Sequence, residues 1–430
     1  MRQHIAALVG LVLAILLAAC PIEHLPDDDA GAMDAGDADA AVPTDLERCL
    51  HAMTLDQPFD IDPAGPDTQI HVDVAFDGRG IWAVYNLPET LGSGFDVHLV
   101  RLDCDGTPLV PAFRANTTTA GNDTDPGIAI DGDRLALAWM SDNGTGVDNM
   151  DVYLRTFHVD GTARMSSDRT LETTRLGSPV TGNVMEPRLV LLPGTGMAIA
   201  AQRGLDETGT FQAFVQRLDD DGNLQGEAID ALVENAVSQT TSGLAATHNG
   251  DLYLSYTRST VGGDDQIMQT RIPASSSTPD PSPPRLVVTW GADLYSAMET
   301  TFAGEGAYLS YGIDANIVVM DGDSFASGAA FATFGQGGGL DFGARVAPSP
   351  GGGAVFWYRN ISGFRNEMYV APFSDDGASL QPGPAALVTA GPVPPYGLAA
   401  THVDGSLYFV AWSEGTSPAF RIKGMFTRVE

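Results

Sequence analysis

The sequence predicts an all-β fold made of about seven copies of a four-stranded antiparallel meander. Three observations point there. First, short apolar runs alternate with turns. In residues 125–174 the runs Ile128–Ile130, Leu135–Trp139 and Val152–Phe157 are punctuated by Asp131-Gly132 and Asp160-Gly161, and apolar runs joined by Asp-Gly are the short-range signature of hairpins. Second, the first run of each unit recurs at Val74, Ile128, Leu189, Leu244, Met298, Ala344 and Leu398, with spacings of 54, 61, 55, 54, 46 and 54 residues. Third, the hexapeptide GLAATH occurs at 243–248 and again, letter for letter, at 397–402. A repeat of roughly 40–50 residues with four strands per unit is the mark of a β-propeller, so the expectation is seven blades.

Taken in order, the chain opens with Arg2 and an uninterrupted apolar run, Ile5 to Ala19. It falls short of the roughly 20 residues of a bilayer span and has the length of a signal-peptide core. It ends in Leu17-Ala18-Ala19-Cys20, which resembles the lipobox of bacterial lipoproteins. The resemblance implies cleavage of residues 1–19, lipidation of Cys20 and attachment to a membrane through that lipid. Pro21 is not the Asp that resembles an inner-membrane retention signal, which favours the outer membrane of the cell envelope. Residues 21–45 hold eight acidic residues and no Lys or Arg. Such a segment buries too little apolar surface to offset its ordering entropy, so residues 20–45 are expected to form a lipid anchor and an extended, disordered tether. Residues 46–430 are then the propeller.

Within each unit the second strand carries an aromatic at its end: Tyr85, Trp139, Tyr256, Tyr311, Tyr358 and Trp412, with Ala201 the exception. One large flat side chain per repeat suits packing between neighbouring sheets better than a platform for sugars. The third strand commonly runs into an Asp-Gly turn, as at Asp105-Gly106, Asp221-Gly222 and Asp376-Gly377. These acidic turns lack EF-hand spacing and read as tight-turn chemistry. The last unit stops at its third strand, while the apolar stretch Cys49–Ile61 precedes the first unit without one of its own. The N-terminal stretch is therefore expected to supply the missing strand and close the ring, removing two open sheet edges. No helix-period segment of useful length is expected after residue 20.

Net charge is −33, from 22 basic and 55 acidic residues. Nucleic acid, which needs a basic footprint, is excluded as a partner. Of three cysteines, Cys20 takes the lipid, and Cys49 and Cys104 are expected to pair as a disulfide outside the cytoplasm.

The chain looks like the degenerate propeller lipoproteins common in environmental Gram-negative bacteria, over residues 64–430, on these loose patterns. That class implies a lipid-anchored envelope protein without an assigned activity. The G-H…W-D pair, the S-x-D-x-G-x-T-W box, the Y-W-T-D strand and an in-register kelch Gly-Gly are all missing from the sequence. So are G-x-S-x-G after a strand and H-E-x-x-H.

Propeller ligands sit around the axial channel. Three residues before the anchors lie His71, Asp125, Glu186 and Asp341, expected to ring its mouth and to offer carboxylates to a cation such as Ca²⁺ if they converge; no other cofactor is implied. Arg203, Arg258 and Arg359, in or just after the second strands, would join acidic residues in one pocket if the protein processed a glycan. The sequence therefore points to a non-enzymatic binding or scaffold propeller for a protein or glycan. The alternative is a carbohydrate-active hydrolase or lyase using the channel-mouth carboxylates.

Overall fold

A computed structural model describes residues 45–430, apart from 89–93, 119, 143–149, 172–173, 176–177, 180–182, 205–209, 232–236, 261–264, 276–284, 291–298, 304–305, 314–315, 322–330, 335–339, 363–364, 377–378, 392–396 and 417. The expected signal peptide, the lipidated Cys20 and the acidic tether lie outside the described residues.

The alternating runs fold as antiparallel meanders. In the second unit Asp123–Asp131 pairs with Arg134–Ser141, which pairs with Asp151–His158, which pairs with Arg169–Thr170. Two-residue connections such as Gly132-Asp133 leave no slack, so the register follows the sequence directly. First strands of successive sheets lie side by side in a closed circuit. It runs from Ile70–Phe76 to Asp123–Asp131, Val184–Leu191, Val237–Ala246, Glu299–Ala303, Leu340–Ser349 and Leu398–Asp404, and back to Ile70–Phe76. The molecule is an all-β propeller with four-stranded antiparallel blades.

The expected blade count needs correction. Among the described residues six blades, not the expected seven, are four-stranded; the sheet that begins at Leu340 has five strands, and a separate two-stranded ribbon pairs Thr174–Arg175 with Ser178–Pro179. The cause is local. Arg365–Asp375 is 11 residues long and pairs with Leu380–Pro382 near its end and with Ala386–Gly391 near its start. Between those two pieces lies Pro382-Gly383-Pro384. Prolines cannot donate to a ladder, so the outer strand breaks there.

The N-terminal segment pairs as expected. Phe59 lies opposite Gly424 and Asp60 opposite Lys423, so Phe59–Asp60 is the outer strand of the last sheet. The Asp56 N–H donates to Phe426 O (2.8 Å) and the Ile61 N–H to Ile422 O (3.0 Å). Cys49 and Ile61 share one core cluster with Val74 and Tyr85 of the first sheet and Phe409 and Phe426 of the last. Cys49 and Cys104 form the expected disulfide, their Cα atoms 4.9 Å apart. It fastens the closing segment of the last sheet to the third-strand turn of the first.

One expectation fails here. Asp45–Ala52 is an α-helix. Eight residues are too few to show a clear period, yet Leu46, Cys49, Leu50 and Met53 recur at three- and four-residue steps. Packing of Cys49, Leu50 and Met53 against the core cluster holds the helix in place.

The repeated aromatics are packing residues. Tyr85, Trp139, Tyr256, Tyr358 and Trp412 are at most 1% exposed; the Tyr311 side chain lies outside the described residues. Two of the Asp-Gly turns close through the Asp side chain itself. Asp105 accepts hydrogen bonds from the Thr107 N–H (2.8 Å) and hydroxyl (2.6 Å), and Asp160 does the same for Thr162 at the same distances.

Candidate functional site

A cavity of about 810 Å³ lies on the ring axis, lined by the first strands. His71, Asp125 and Glu186 are among its lining residues, so three of the four expected mouth residues come together. They do so through a repeated backbone device. In the first strands of the first three sheets the register slips so that two residues oppose one. His71 and Val72 face Tyr85, Asp125 and Pro126 face Trp139, and Glu186 and Pro187 face Ala201. These are β-bulges, which bend a strand and re-aim its side chains. The two prolines fall where ladder donors are not needed.

The first residue of each of these bulges is left-handed, with φ of 51° at His71, 50° at Asp125 and 55° at Glu186. A side chain in that region costs roughly 1–2 kcal/mol relative to glycine. The matching bulge of the sheet at Leu340 places Gly343 and Ala344 opposite Trp357, with φ of +65° at Gly343. Gly397, at φ +77°, packs so closely that a Cβ there would stand 2.6 Å from the Val72 backbone N.

The fourth expected residue is misplaced by this geometry. Asp341 lies on the strand Leu340–Ser349 opposite Arg359; its side chain lies outside the described residues. The bulge makes Gly343 the counterpart of His71, and Val346 rather than Ala344 the counterpart of Val74. Spacing alone set the anchor two residues early.

The mouth is electrostatically mixed. His71 Nδ1 stands 3.4 Å from Asp125 Oδ1, with side chains 27% and 47% exposed. Burial raises the Glu186 carboxyl above the ordinary range; Arg188 opposes the rise and Asp125 adds to it. Deeper in, Asp73 accepts hydrogen bonds from the Val74 N–H and, across the blade junction, from the Ile128 N–H, both 2.9 Å. Burial raises its carboxyl too, against those two hydrogen bonds and the charges of Arg345 and Arg188.

Asp73, Arg188 and Arg345 line the cavity and were not expected. Each sits one residue before its structural anchor, where the pleat turns a side chain to the opposite face. That parity was the available signal. The three arginines that were expected do not line the cavity. Arg203 is buried on a second strand, ion-paired with Asp230 and 5.0 Å over the Phe214 ring. Arg258 Nη1 donates to Gln266 Oε1 (2.7 Å), and Arg359 lies 5.0 Å over the Tyr369 ring. In all three cases the partner lies on the third or fourth strand of the arginine's own sheet. Among the described residues no group of three His, Cys, Asp or Glu side chains gathers as a metal centre.

No family model matches the sequence, and no curated protein is similar to it. Solved structures share the fold. A protein of unknown function from Dyadobacter fermentans superposes with a TM-score of 0.52 at 10% identity, covering 88% of this chain and 100% of that one. An α-L-arabinanase of Penicillium chrysogenum complexed with arabinobiose gives 0.48 at 13% identity, covering 78% and 99%. The Hadza microbial sialidase Hz136 gives 0.44 at 11% identity, covering 86% and 68%. At such identities the likeness is one of fold alone.

Proposed function

We propose that this chain is a lipid-anchored propeller of the cell envelope that binds a ligand at the mouth of its axial cavity without transforming it. The ligand is a glycan or a protein segment. One observation carries the reading: three consecutive blades hold His71, Asp125 and Glu186 on left-handed backbone facing one cavity. Glycine would relieve that backbone, and strain of this kind gathers where side chains must be presented to a ligand. Cavities of several hundred Å³ with a few convergent polar groups are the ordinary form of a small-ligand site.

The anchor rests on the run that ends in Leu17-Ala18-Ala19-Cys20. Cys20→Ser is expected to move the protein from the membrane to the soluble fraction; a variant that stays with the membrane removes the lipid from the proposal.

A carbohydrate-active hydrolase or lyase is the second reading. Glu186, raised by burial, stands near the more exposed Asp125, and carboxyls in unlike environments suit acid and base roles. A thermal-shift screen with envelope oligosaccharides separates the two, since a ligand of the folded state alone raises the melting temperature. Binding predicts a rise of several degrees in the wild type that an Asp125→Ala, Glu186→Ala double variant lacks, with the sugar recovered intact. Cleaved sugar would establish the second reading. No shift with any glycan removes the glycan form and leaves a protein partner, to be sought by crosslinking in cells.

A further inference from the structure

A second polar site lies away from the axial cavity, between the first and second sheets. Asn86 sits on the strand Ile81–Pro88, Asp96 on Phe95–Leu102, Asn116 just after Pro108–Arg114, and Asp123 opens Asp123–Asp131. Their exposures are 0%, 3%, 2% and 3%, and none lines the cavity. Buried polar side chains are ordinarily paired. Here acceptors outnumber donors.

The Asn116 amide nitrogen has two hydrogens and meets three oxygens: Asp123 Oδ2 at 2.6 Å, Thr118 O at 2.7 Å and Asp96 Oδ1 at 2.8 Å. The Asn86 amide nitrogen donates to the Asp123 backbone oxygen at 2.8 Å, which sets the Asn86 carboxamide against the same group. Three further oxygens are buried without a hydrogen-bond partner: Asn86 Oδ1, Asp96 Oδ2 and Asp123 Oδ1. Arg114 Nη1 forms a long ion pair with Asp96 Oδ2, at 3.9 Å. The Ser141 hydroxyl adds a hydrogen bond to Asp123, while Asp96, Asp168 and Asp142 add negative potential around it.

We propose that Asp96, Asp123 and Asn86 bind a divalent cation of the Ca²⁺ type at the junction of the first two blades. The unsatisfied donors are all hard oxygens, with no imidazole or thiolate, which selects Ca²⁺ or Mg²⁺ over transition metals. Two carboxylates and an amide oxygen make an irregular, partial shell. Ca²⁺ tolerates that and completes its six to eight ligands with carbonyls or water, whereas Mg²⁺ demands near-octahedral order. Because the set holds two carboxylates and a neutral amide, it is compatible with the absence of any three-member acidic, imidazole or thiolate group among the described residues. The ion would bridge Asn86 and Asp96 of the first sheet to Asp123 of the second. It would thereby lock one blade junction rather than take part in ligand recognition.

The test is calorimetric titration of the chelator-treated full chain with CaCl₂, and separately with MgCl₂. Expected are one Ca²⁺ per chain, Mg²⁺ at least tenfold weaker, and at least a tenfold loss of Ca²⁺ affinity in Asp123→Asn with an unchanged circular-dichroism spectrum. Asp125→Asn, at the cavity mouth, is expected to bind Ca²⁺ as the wild type does. The proposal is overturned if the wild type takes up no Ca²⁺, if Asp123→Asn binds as tightly, or if the loss follows Asp125→Asn instead. Should Asp123→Asn not fold, Asn86→Ser is used, with Tb³⁺ luminescence of the wild type displaced by Ca²⁺; no sensitised Tb³⁺ signal would equally overturn it.

Discussion

At the level of single residues, the cavity mouth shows side chains kept where the backbone would favour glycine. His71, Asp125 and Glu186 share one conformation in three blades, and their common position makes them a set. Glu186 carries a pH signature. Its folded-state carboxyl is raised above the ordinary range by burial, so the folded state binds protons more tightly than the unfolded chain. The associated stability is present below the unfolded pKa and is lost as pH rises through the folded one. Wild-type stability is therefore expected to fall as pH climbs from about 4.5, and Glu186→Gln is expected to flatten that slope. Urea titrations at stepped pH values measure it; parallel slopes would show that Glu186 is not the group responsible. The residue-level reading from sequence was partial for a geometric reason. Position relative to the apolar anchor points to His71, Asp125 and Glu186, whereas Arg188 and Arg345 lie just past the bulges of their strands, whose effect on side-chain direction the spacing does not show.

At the level of elements, strands and hairpin turns were legible because period-two burial and Asp-Gly turns are local properties. The broken outer strand was visible in principle as Pro382-Gly383-Pro384, but its consequence depends on how long its partner strand extends. The short helix Asp45–Ala52 was not foreseen. Its amphipathic face acquires a partner only when the closing segment docks, and an eight-residue helix has little stability of its own. The disulfide at Cys49 joins that helix to the first sheet. A crosslink closing a loop of about 55 residues stabilises by roughly 2–4 kcal/mol, chiefly through the unfolded chain. Cys49→Ser is expected to lower the unfolding free energy by that amount under oxidising conditions. Reductant is expected to bring the wild type to the same value; a wild type indifferent to reductant would mean that the bond contributes little.

At the level of the whole molecule, closure is the feature on which the rest depends. The last sheet takes its outer strand from Phe59–Asp60, and Arg421 Nη1 donates to Gly65 O at 2.8 Å across the same seam. Tyr85 of the first sheet reaches back through its hydroxyl to Asp62 Oδ2 at 2.7 Å. A propeller opened there exposes two sheet edges and the core cluster of the first and last sheets. Deleting residues 46–62 is expected to abolish cooperative unfolding and leave an aggregating chain; a monodisperse deletion variant with a sharp transition would show that the ring closes without its strap.

The sequence by itself determined the repeat, the four-stranded unit, the antiparallel pairing, the Cys49–Cys104 bond and the strand that joins first sheet to last. Each of these follows from local periodicity, turn chemistry or an unmatched element in the count. Only the tertiary structure decided which sheet is five-stranded, that Asp341 yields its place to Gly343, and that Arg203 and Arg359 face neighbouring rings instead of the cavity. It also brought Asn86, Asp96 and Asp123 together from separate strands. These depend on where a bulge shifts register by one residue and on which sheets meet face to face. Both are properties of packed pairs of strands, and no single strand's sequence contains them.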